Sequence, residues 1–211
     1  MKGTRPMQRH SCFEGYANGD PEMERYHDEE WGLPCHDEDR LVEMFVLELF
    51  QAGLSWRCVL RKRENFRAAL DGFDVERIAG YTPERIEELM GDPGIIRNRR
   101  KLEGMVNNAR IVCELRKEFG SFSAYLWHFT EGQTVFEPPD VTRDELSDEV
   151  SADMRRRGMK FAGSVTVFSF LQAVGIVYSH PRDCWRFEAD HAADFADLRY
   201  VDGAVRRVTA R

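Results

Sequence analysis

Three groups of residues in this chain have types and spacings that can do chemistry. The first is centred on Glu48, which shares 3,4 spacing with Leu41, Met44, Phe45, Leu49 and Ala52 and so falls in the apolar stripe of its own helix. An ionised carboxylate is costly to bury and persists only with a partner, hydrogen bonds or a functional demand. Two arrangements satisfy the pattern: an acid at the stripe's margin that reaches solvent or an arginine, or a carboxylate sunk in a pocket. Tyr16, Tyr26, Trp31 and Trp56 lie near that helix in sequence. Beside an acid their faces could hold a flat, cationic ring by stacking and cation-π attraction, although each taken singly also serves as core filler.

The second group consists of metal donors. Cys12, His27, His180 and Cys184 supply two thiolates and two imidazoles, a set suited to tetrahedral zinc, and the last two form a His-x3-Cys pair that could face one ion. Spacing alone does not join that pair to the distant Cys12 and His27, and Cys35-His36 is a rival donor pair without a second pair at a usable spacing. The third group is the segment GDPGIIRNRRK, Gly91 to Lys101, a tight turn between helices that carries Arg97, Arg99, Arg100 and Lys101. It resembles the helix-hairpin-helix used on DNA backbones, where hairpin amides and the next helix's N-terminus face phosphates. A Gly-Pro-Gly turn with a solvated basic end is the plainer reading. The chain contains no Gly-rich phosphate loop, nucleophile elbow or HExxH pattern.

The elements that must position these groups are helices. Asp37 caps, and Glu38 and Asp39 suit the positive end of, a helix that should stop near Gly53. A second helical stretch is expected over about Cys58 to Leu70, with short ones near Val75 to Ala79 and, behind Thr82-Pro83, over Glu84 to Met90. After the Gly91 to Gly94 turn a long helix places Leu102, Met105, Val106, Ala109, Val112 and Cys113 on one face. Ser121 opens another. Thr142 and Glu145 form a capping box for a helix with Leu146, Val150 and Met154, ending at Arg155-Arg156-Arg157-Gly158. Val165 to Val177 reads as a buried helix. Period-2 alternation is almost absent and no stretch reads as a strand, so the expected fold is mainly α. From Glu188 to Arg211 the chain is rich in Ala, Asp and then Arg, and is expected to be a weakly ordered extension or an added helix.

The 211 residues fit one domain, or one with a small lobe, and 42% hydrophobic with 32% charged residues excludes a disordered chain. No stretch has the roughly 18 apolar residues of a membrane span, and Met1 to Tyr16 lacks a secretory h-region, so no membrane partner and a cytoplasmic location are expected. Five cysteines, an odd number, argue for reduced thiols or metal ligands rather than disulfides. A net charge of −7 disfavours nucleic acid on average. The basic residues nevertheless cluster, Arg57, Arg61, Lys62, Arg63 and Arg67 in one group and Arg97 to Lys101 in another, so a basic face on an acidic body remains open.

Taken together the residues resemble the 3-methyladenine DNA glycosylase I family, a helical, zinc-binding branch of the helix-hairpin-helix DNA glycosylases. The resemblance runs from Cys12 to Cys184 through YHDEEWGLP (Tyr26 to Pro34), LELFQAGLSW (Leu47 to Trp56), LRKRENFRAAL (Leu60 to Leu70), GIIRNRRKL (Gly94 to Leu102) and FSFLQAVGIVYSHPRDC (Phe168 to Cys184). It implies a glycosylase domain over 1–187 with a zinc site joining its N- and C-terminal segments, and 188–211 as a C-terminal extension. One structural zinc per chain would fall on Cys12, His27, His180 and Cys184. Glu48 would be the base-recognising acid, Trp56 the stacking ring, and Tyr26 and Trp31 its aromatic companions. Gly53, Leu54, Gly94, Arg97, Arg99 and Lys101 would meet DNA, with the Gly53-Leu54 turn wedged into the gap left by the extruded base. Two positions depart from the family pattern: Met23 stands where an aromatic is usual, and Phe50 replaces a common glutamine.

The implied activity is base excision repair: hydrolysis of the N-glycosidic bond of 3-methyladenine in alkylated duplex DNA by base flipping, leaving an abasic site, with the protein acting as a monomer. A lesion that stacks and pairs poorly is cheaper to extrude. Methylation at N3 makes the ring cationic and a good leaving group, so strong acid catalysis is not required. No lysine sits in the pocket motif, so a monofunctional enzyme without lyase chemistry is expected. Two competing readings are a non-catalytic zinc-stabilised module that grips alkylated or bent DNA, and a metal-dependent hydrolase.

Overall fold

The computed structural model describes residues 10–187, 198–201 and 204–207. A short helix α1 (Glu14–Ala17) and α2 (Pro21–Glu29) open the chain, the latter capped by the Asp20 side chain on the Glu22 amide with Pro21 in its first turn. Helix α3 (Glu38–Gln51) begins as expected on Asp37, which accepts from the Arg40 amide. It differs from an amphipathic stripe, however, because every residue from Leu41 to Phe50 is buried. The two acids in that run, Glu43 and Glu48, are therefore both inside the protein.

The helix expected over Cys58 to Leu70 is two helices, α4 (Trp56–Leu60), capped by Ser55, and α5 (Arg63–Ala69), which break at Arg61-Lys62. Helices α6 (Val75–Ala79) and α7 (Pro83–Gly91) come next, capped by Asp74 and Thr82. The long α8 (Arg99–Phe119) is capped by Asn98 and ends on Gly120 at φ 89°, and α9 (Phe122–Trp127) is capped by Ser121. The capping box of α10 (Glu145–Arg156) is made by Asp144 with Ser147, not by Thr142 with Glu145. Helix α11 (Ser164–Ala173) stops short of the expected Val177, and Val165 in its first turn is 55% exposed rather than core. The stop is made at Gly175, whose φ of 71° suits glycine and where a Cβ would overlap the Leu33 carbonyl and the Pro34 nitrogen.

Strands do occur, contrary to the sequence expectation. Strand β1 (Val135–Phe136) pairs in parallel with β2 (Val177–Tyr178). Strands β3 (Leu198–Val201) and β4 (Ala204–Arg207) form an antiparallel pair, and β4 joins β1, giving the order β2-β1-β4-β3. Strands β1 and β2, of two residues each, are too short to show a period of two. The described parts of the C-terminal extension are thus strand rather than the added helix; the rest of 188–211 lies outside the described residues. The fold is mainly α. No described helix is long and apolar enough to cross a membrane.

The first basic cluster is not an open cationic face. Arg57 donates to the carbonyls of Tyr16 and Ala17, and Arg61 meets Asp20 at 2.7 Å. Arg63 grips Glu43 through Nε at 2.8 Å and Nη2 at 3.1 Å and reaches Glu30 at 2.7 Å, while Arg67 adds a contact to Glu43 at 2.6 Å. Glu43 is 6% and Arg63 8% exposed, so breaking the pair strands a charge in the interior. Replacing Arg63 with alanine is expected to lower unfolding free energy in urea titrations by about 3 kcal/mol or more. Replacing Arg61, whose side chain is 63% exposed, should change it by less than about 1 kcal/mol. Equal effects would contradict this assignment of the buried pair.

Candidate active site

Glu43 and Glu48 stand about one and a half turns apart on α3, which directs the two carboxylates to different sides of the helix. Glu43 faces its arginines. Glu48, 4% exposed, faces a cavity of about 370 Å³, within the range of small-molecule pockets. Its Oε2 is buried without a hydrogen-bond partner among the described residues. Burial alone therefore pushes the Glu48 carboxyl up from 4.5 to about 8, with no cation close enough to draw it back.

Tyr16, Tyr26, Trp31 and Trp56 all line the same cavity, so the structure gathers every aromatic singled out from the sequence around the acid. The Tyr26 and Trp56 rings lie 5.2 Å apart at 48°. Trp56 Nε1 is also buried and unpartnered. One buried acceptor and one buried donor without partners, in one aromatic-lined cavity, are polar groups left for a ligand to satisfy. Tyr26 also borders a second, charged cavity of about 560 Å³ on the side of Glu30, Glu43 and Arg63.

Sequence reasoning missed Phe13, whose ring sits 4.9 Å from Trp31 and 5.7 Å from Tyr16 and which also lines the cavity. Met23, standing where an aromatic was expected, is fully buried and is not part of the lining. Phe13 and Tyr16 supply aromatic wall from the N-terminal segment instead. Phe50 packs on Phe66 at 4.7 Å in the core, away from the pocket. Ser169 and Gln172 line the cavity too, and Gln172 donates to Ser179 at 2.8 Å. They lie in the stretch read as a buried helix, apolar on most sides.

The Cys/His set adjoins the cavity through Cys12. The ligand atoms of Cys12, His27, His180 and Cys184 lie within 4.8 Å of one another. Cys12 Sγ is 3.2 Å from His27 Nε2 and 3.4 Å from His180 Nδ1, and Cys184 Sγ is 3.4 and 3.6 Å from the same atoms. A tetrahedron with zinc-ligand bonds near 2.1 and 2.3 Å has nitrogen-sulfur edges of about 3.6 Å, so the donors fit such an ion. The outer ring nitrogens are held as metal-binding histidines require, His27 Nδ1 by Asp28 at 2.7 Å and His180 Nε2 by the Trp31 carbonyl at 3.1 Å. Cys12 and Trp31 belong both to this cluster's surroundings and to the cavity lining. Cys35 and His36 are elsewhere: Cys35 Sγ approaches the Asp37 carbonyl, and His36 stacks on Trp127.

The hairpin is only partly available to a backbone. Arg97 and Arg100 are exposed with no ion pair found for them among the described residues. Arg99 is paired with Glu87 at 2.6 Å, and the Gly94 amide is occupied by Asp92 Oδ1 at 2.7 Å. Lys101 corrects the sequence expectation outright: it is 6% exposed, with its ammonium bonded to the carbonyls of Phe50 and Ala52, so it does not face phosphates. Gly53 and Leu54 lie on an exposed turn, and Leu54 at 42% is one of three exposed large hydrophobic residues among the described residues, with Tyr16 and Val165.

A helical body with a turn between two helices has beside it an aromatic pocket floored by an unpaired acid, with dimensions and chemistry suited to a flat, hydrogen-bonding ring. The sequence matches the methyladenine glycosylase family over residues 16–187. It is 40% identical over 177 residues to DNA-3-methyladenine glycosylase 1 of Escherichia coli K12, covering 81% of this chain and 94% of that protein. It is also 40% identical over 164 residues to the DNA-3-methyladenine glycosylase of Haemophilus influenzae, covering 75% and 89%. The structure of 3-methyladenine DNA glycosylase I from Staphylococcus aureus, solved to explain recognition of 3-methyladenine, is similar with a TM-score of 0.79 at 36% identity, over 83% of this chain and 96% of that one. The chain belongs to the methyladenine glycosylase family, as 3-methyladenine DNA glycosylases of type I do.

The raised Glu48 carboxyl has a consequence for stability. A group protonated in the fold up to about pH 8 but ionised in the unfolded chain above about 4.5 binds more protons when folded, so its contribution falls as pH rises through that window. Glu48→Gln removes the penalty. Its stability relative to wild type should grow on going from about pH 5 to about pH 8 and then level off, by an amount on the order of a few kcal/mol. A pH-independent difference in denaturant titrations would show that Glu48 is not desolvated as described.

Proposed function

We propose that the chain is a DNA-3-methyladenine glycosylase that hydrolyses the N-glycosidic bond of the methylated base in duplex DNA and leaves an abasic site. The observation that carries the reading is the unpartnered Glu48 carboxyl in the aromatic cavity. A cationic ring entering that cavity supplies the counter-charge that Glu48 lacks and draws its proton off, while Trp56 stacks and its indole N–H finds an acceptor. An ordinary, neutral purine offers Glu48 no such charge, so recognition favours the lesion, and the methylated base is already a good leaving group. Tyr26 and Trp31 complete the pocket. We read 1–187 as the glycosylase domain and 188–211 as its extension, in keeping with a family match that ends at 187. The Gly53-Leu54 turn fills the gap in the duplex, and Arg97 meets phosphates.

Base release from methylated duplex DNA should fall by about 10- to 100-fold in Glu48→Gln, the loss of a charge-assisted contact, with DNA affinity retained. Normal release by the variant would remove Glu48 from the mechanism. An inactive wild type that still binds alkylated DNA would favour the non-catalytic module.

For the Cys/His set we propose zinc. Two thiolates and two imidazoles fill its tetrahedron and leave no position for water, which makes it structural. Cys12 and His27 would thereby be tied to His180 and Cys184, and with them the aromatic wall that carries Phe13 and Trp31. Metal analysis should give about one zinc per chain, and chelation should lower the melting temperature together with pocket integrity. Metal-free protein with unchanged melting would refute the assignment.

A further inference from the structure

Lys101 sits in the first turn of α8, where a cation facing DNA was expected, and its side chain runs inward instead. Its ammonium donates to Phe50 O at 2.8 Å and to Ala52 O at 2.6 Å. Those carbonyls need an outside donor, because the last turn of a helix has no internal partners and α3 ends at Ala52 with φ −46° and ψ 113° rather than in a left-handed cap. The Gln51 carbonyl is met separately by the Leu54 amide at 2.6 Å. A cation at a helix C-terminus also complements the helix dipole.

The residues just past Ala52 give this contact its importance. Gly53 stands at φ 80°, Leu54 is exposed, Ser55 caps α4 and Trp56 is that helix's first residue, in the pocket. At the other end, the Lys101 amide is held by the Asn98 side chain at 3.2 Å, in the segment that also bears the exposed Arg97. One side chain therefore joins the hairpin to the turn that leads from the Glu48 helix to Trp56.

We infer that Lys101 is a positioning residue that ties the hairpin to the Gly53–Ser55 turn, so that a hairpin seated on the DNA backbone carries Leu54 into the duplex. The inference rests on the glycosylase reading above. It assigns Lys101 to extrusion of the base, not to its recognition. The two are separable by experiment, since free 3-methyladenine needs only the pocket, whereas the base in duplex DNA must first leave the stack.

The test uses the full chain with its metal. Base release from methylated duplex DNA is measured beside binding of free 3-methyladenine, followed by tryptophan fluorescence. Lys101→Met should lower release by about tenfold or more, chiefly in kcat, with free-base affinity within about threefold of wild type. Lys101→Arg, which keeps a cation for the two carbonyls, should restore release to within about threefold of wild type. If the Met variant does not fold, Lys101→Gln carries the same expectation as Lys101→Met. Unchanged release, or a parallel loss of free-base affinity, overturns the inference while leaving the glycosylase reading intact. A wild-type protein that releases no methylated base overturns both.

Discussion

Two carboxylates on one buried helix are treated in opposite ways, and the rest of the molecule is arranged around that difference. Glu43 is neutralised by Arg63 and Arg67, so its burial is compensated inside the protein. Glu48 has no such partner. A lone acid in an apolar surrounding stays protonated near neutral pH or waits for an external positive charge, and both behaviours disfavour an empty, ionised pocket. Arginines are plentiful on the neighbouring α4 and α5, yet they are occupied by Asp20, Glu30, Glu43 and Glu64 or by backbone carbonyls. The acids crowded into the first part of the sequence thus keep the site free of competing cations.

The same logic explains why distant parts of the chain meet. Glu48 lies on the central helix, Trp56 starts the next one, Tyr26 and Trp31 come from α2 and the turn after it, and Phe13 and Tyr16 come from the N-terminal segment. That segment has only a four-residue helix of its own. It is held by Arg57, which donates to the Tyr16 and Ala17 carbonyls, and by the Cys/His cluster, which brings Cys12 and His27 to His180 and Cys184 and whose His180 also donates to the Trp31 carbonyl. A Cys/His cluster whose members are far from one another in sequence therefore lies behind one wall of the pocket, while covalent connection to α3 fixes the other.

Much of this was legible in the residues because helices announce themselves locally. Asp37, Thr82 and Ser121 cap as read, whereas the Asn98 cap was not singled out, and the 3,4 recurrence around Glu48 put it in the apolar stripe without deciding between its margin and a pocket. Local patterns reported less where long-range contacts decide. The break between α4 and α5 and the early stop of α11 depend on packing, the latter on the approach of Leu33 and Pro34 to Gly175. Two-residue strands carry no period to detect. Basic clusters were the least transparent: the sequence counts charges, but only the fold shows that Arg63 is internal, Arg99 is paired and Lys101 is turned toward the end of α3. Of the hairpin's cations, Arg97, Arg99 and Arg100 are all exposed, and among the described residues Arg97 and Arg100 are the two with no ion pair found for them.

The ionisation of Glu48 itself tests the central claim most directly. A carbon-13 NMR titration of the Glu48 carboxyl, assigned by comparison with Glu48→Gln, should give a midpoint near 8 in the free protein and a clear fall when a cationic methylated base fills the cavity. A midpoint close to 4.5 that ignores the base would contradict the account, because it would mean that Glu48 is already solvated or paired and holds nothing in reserve for the lesion.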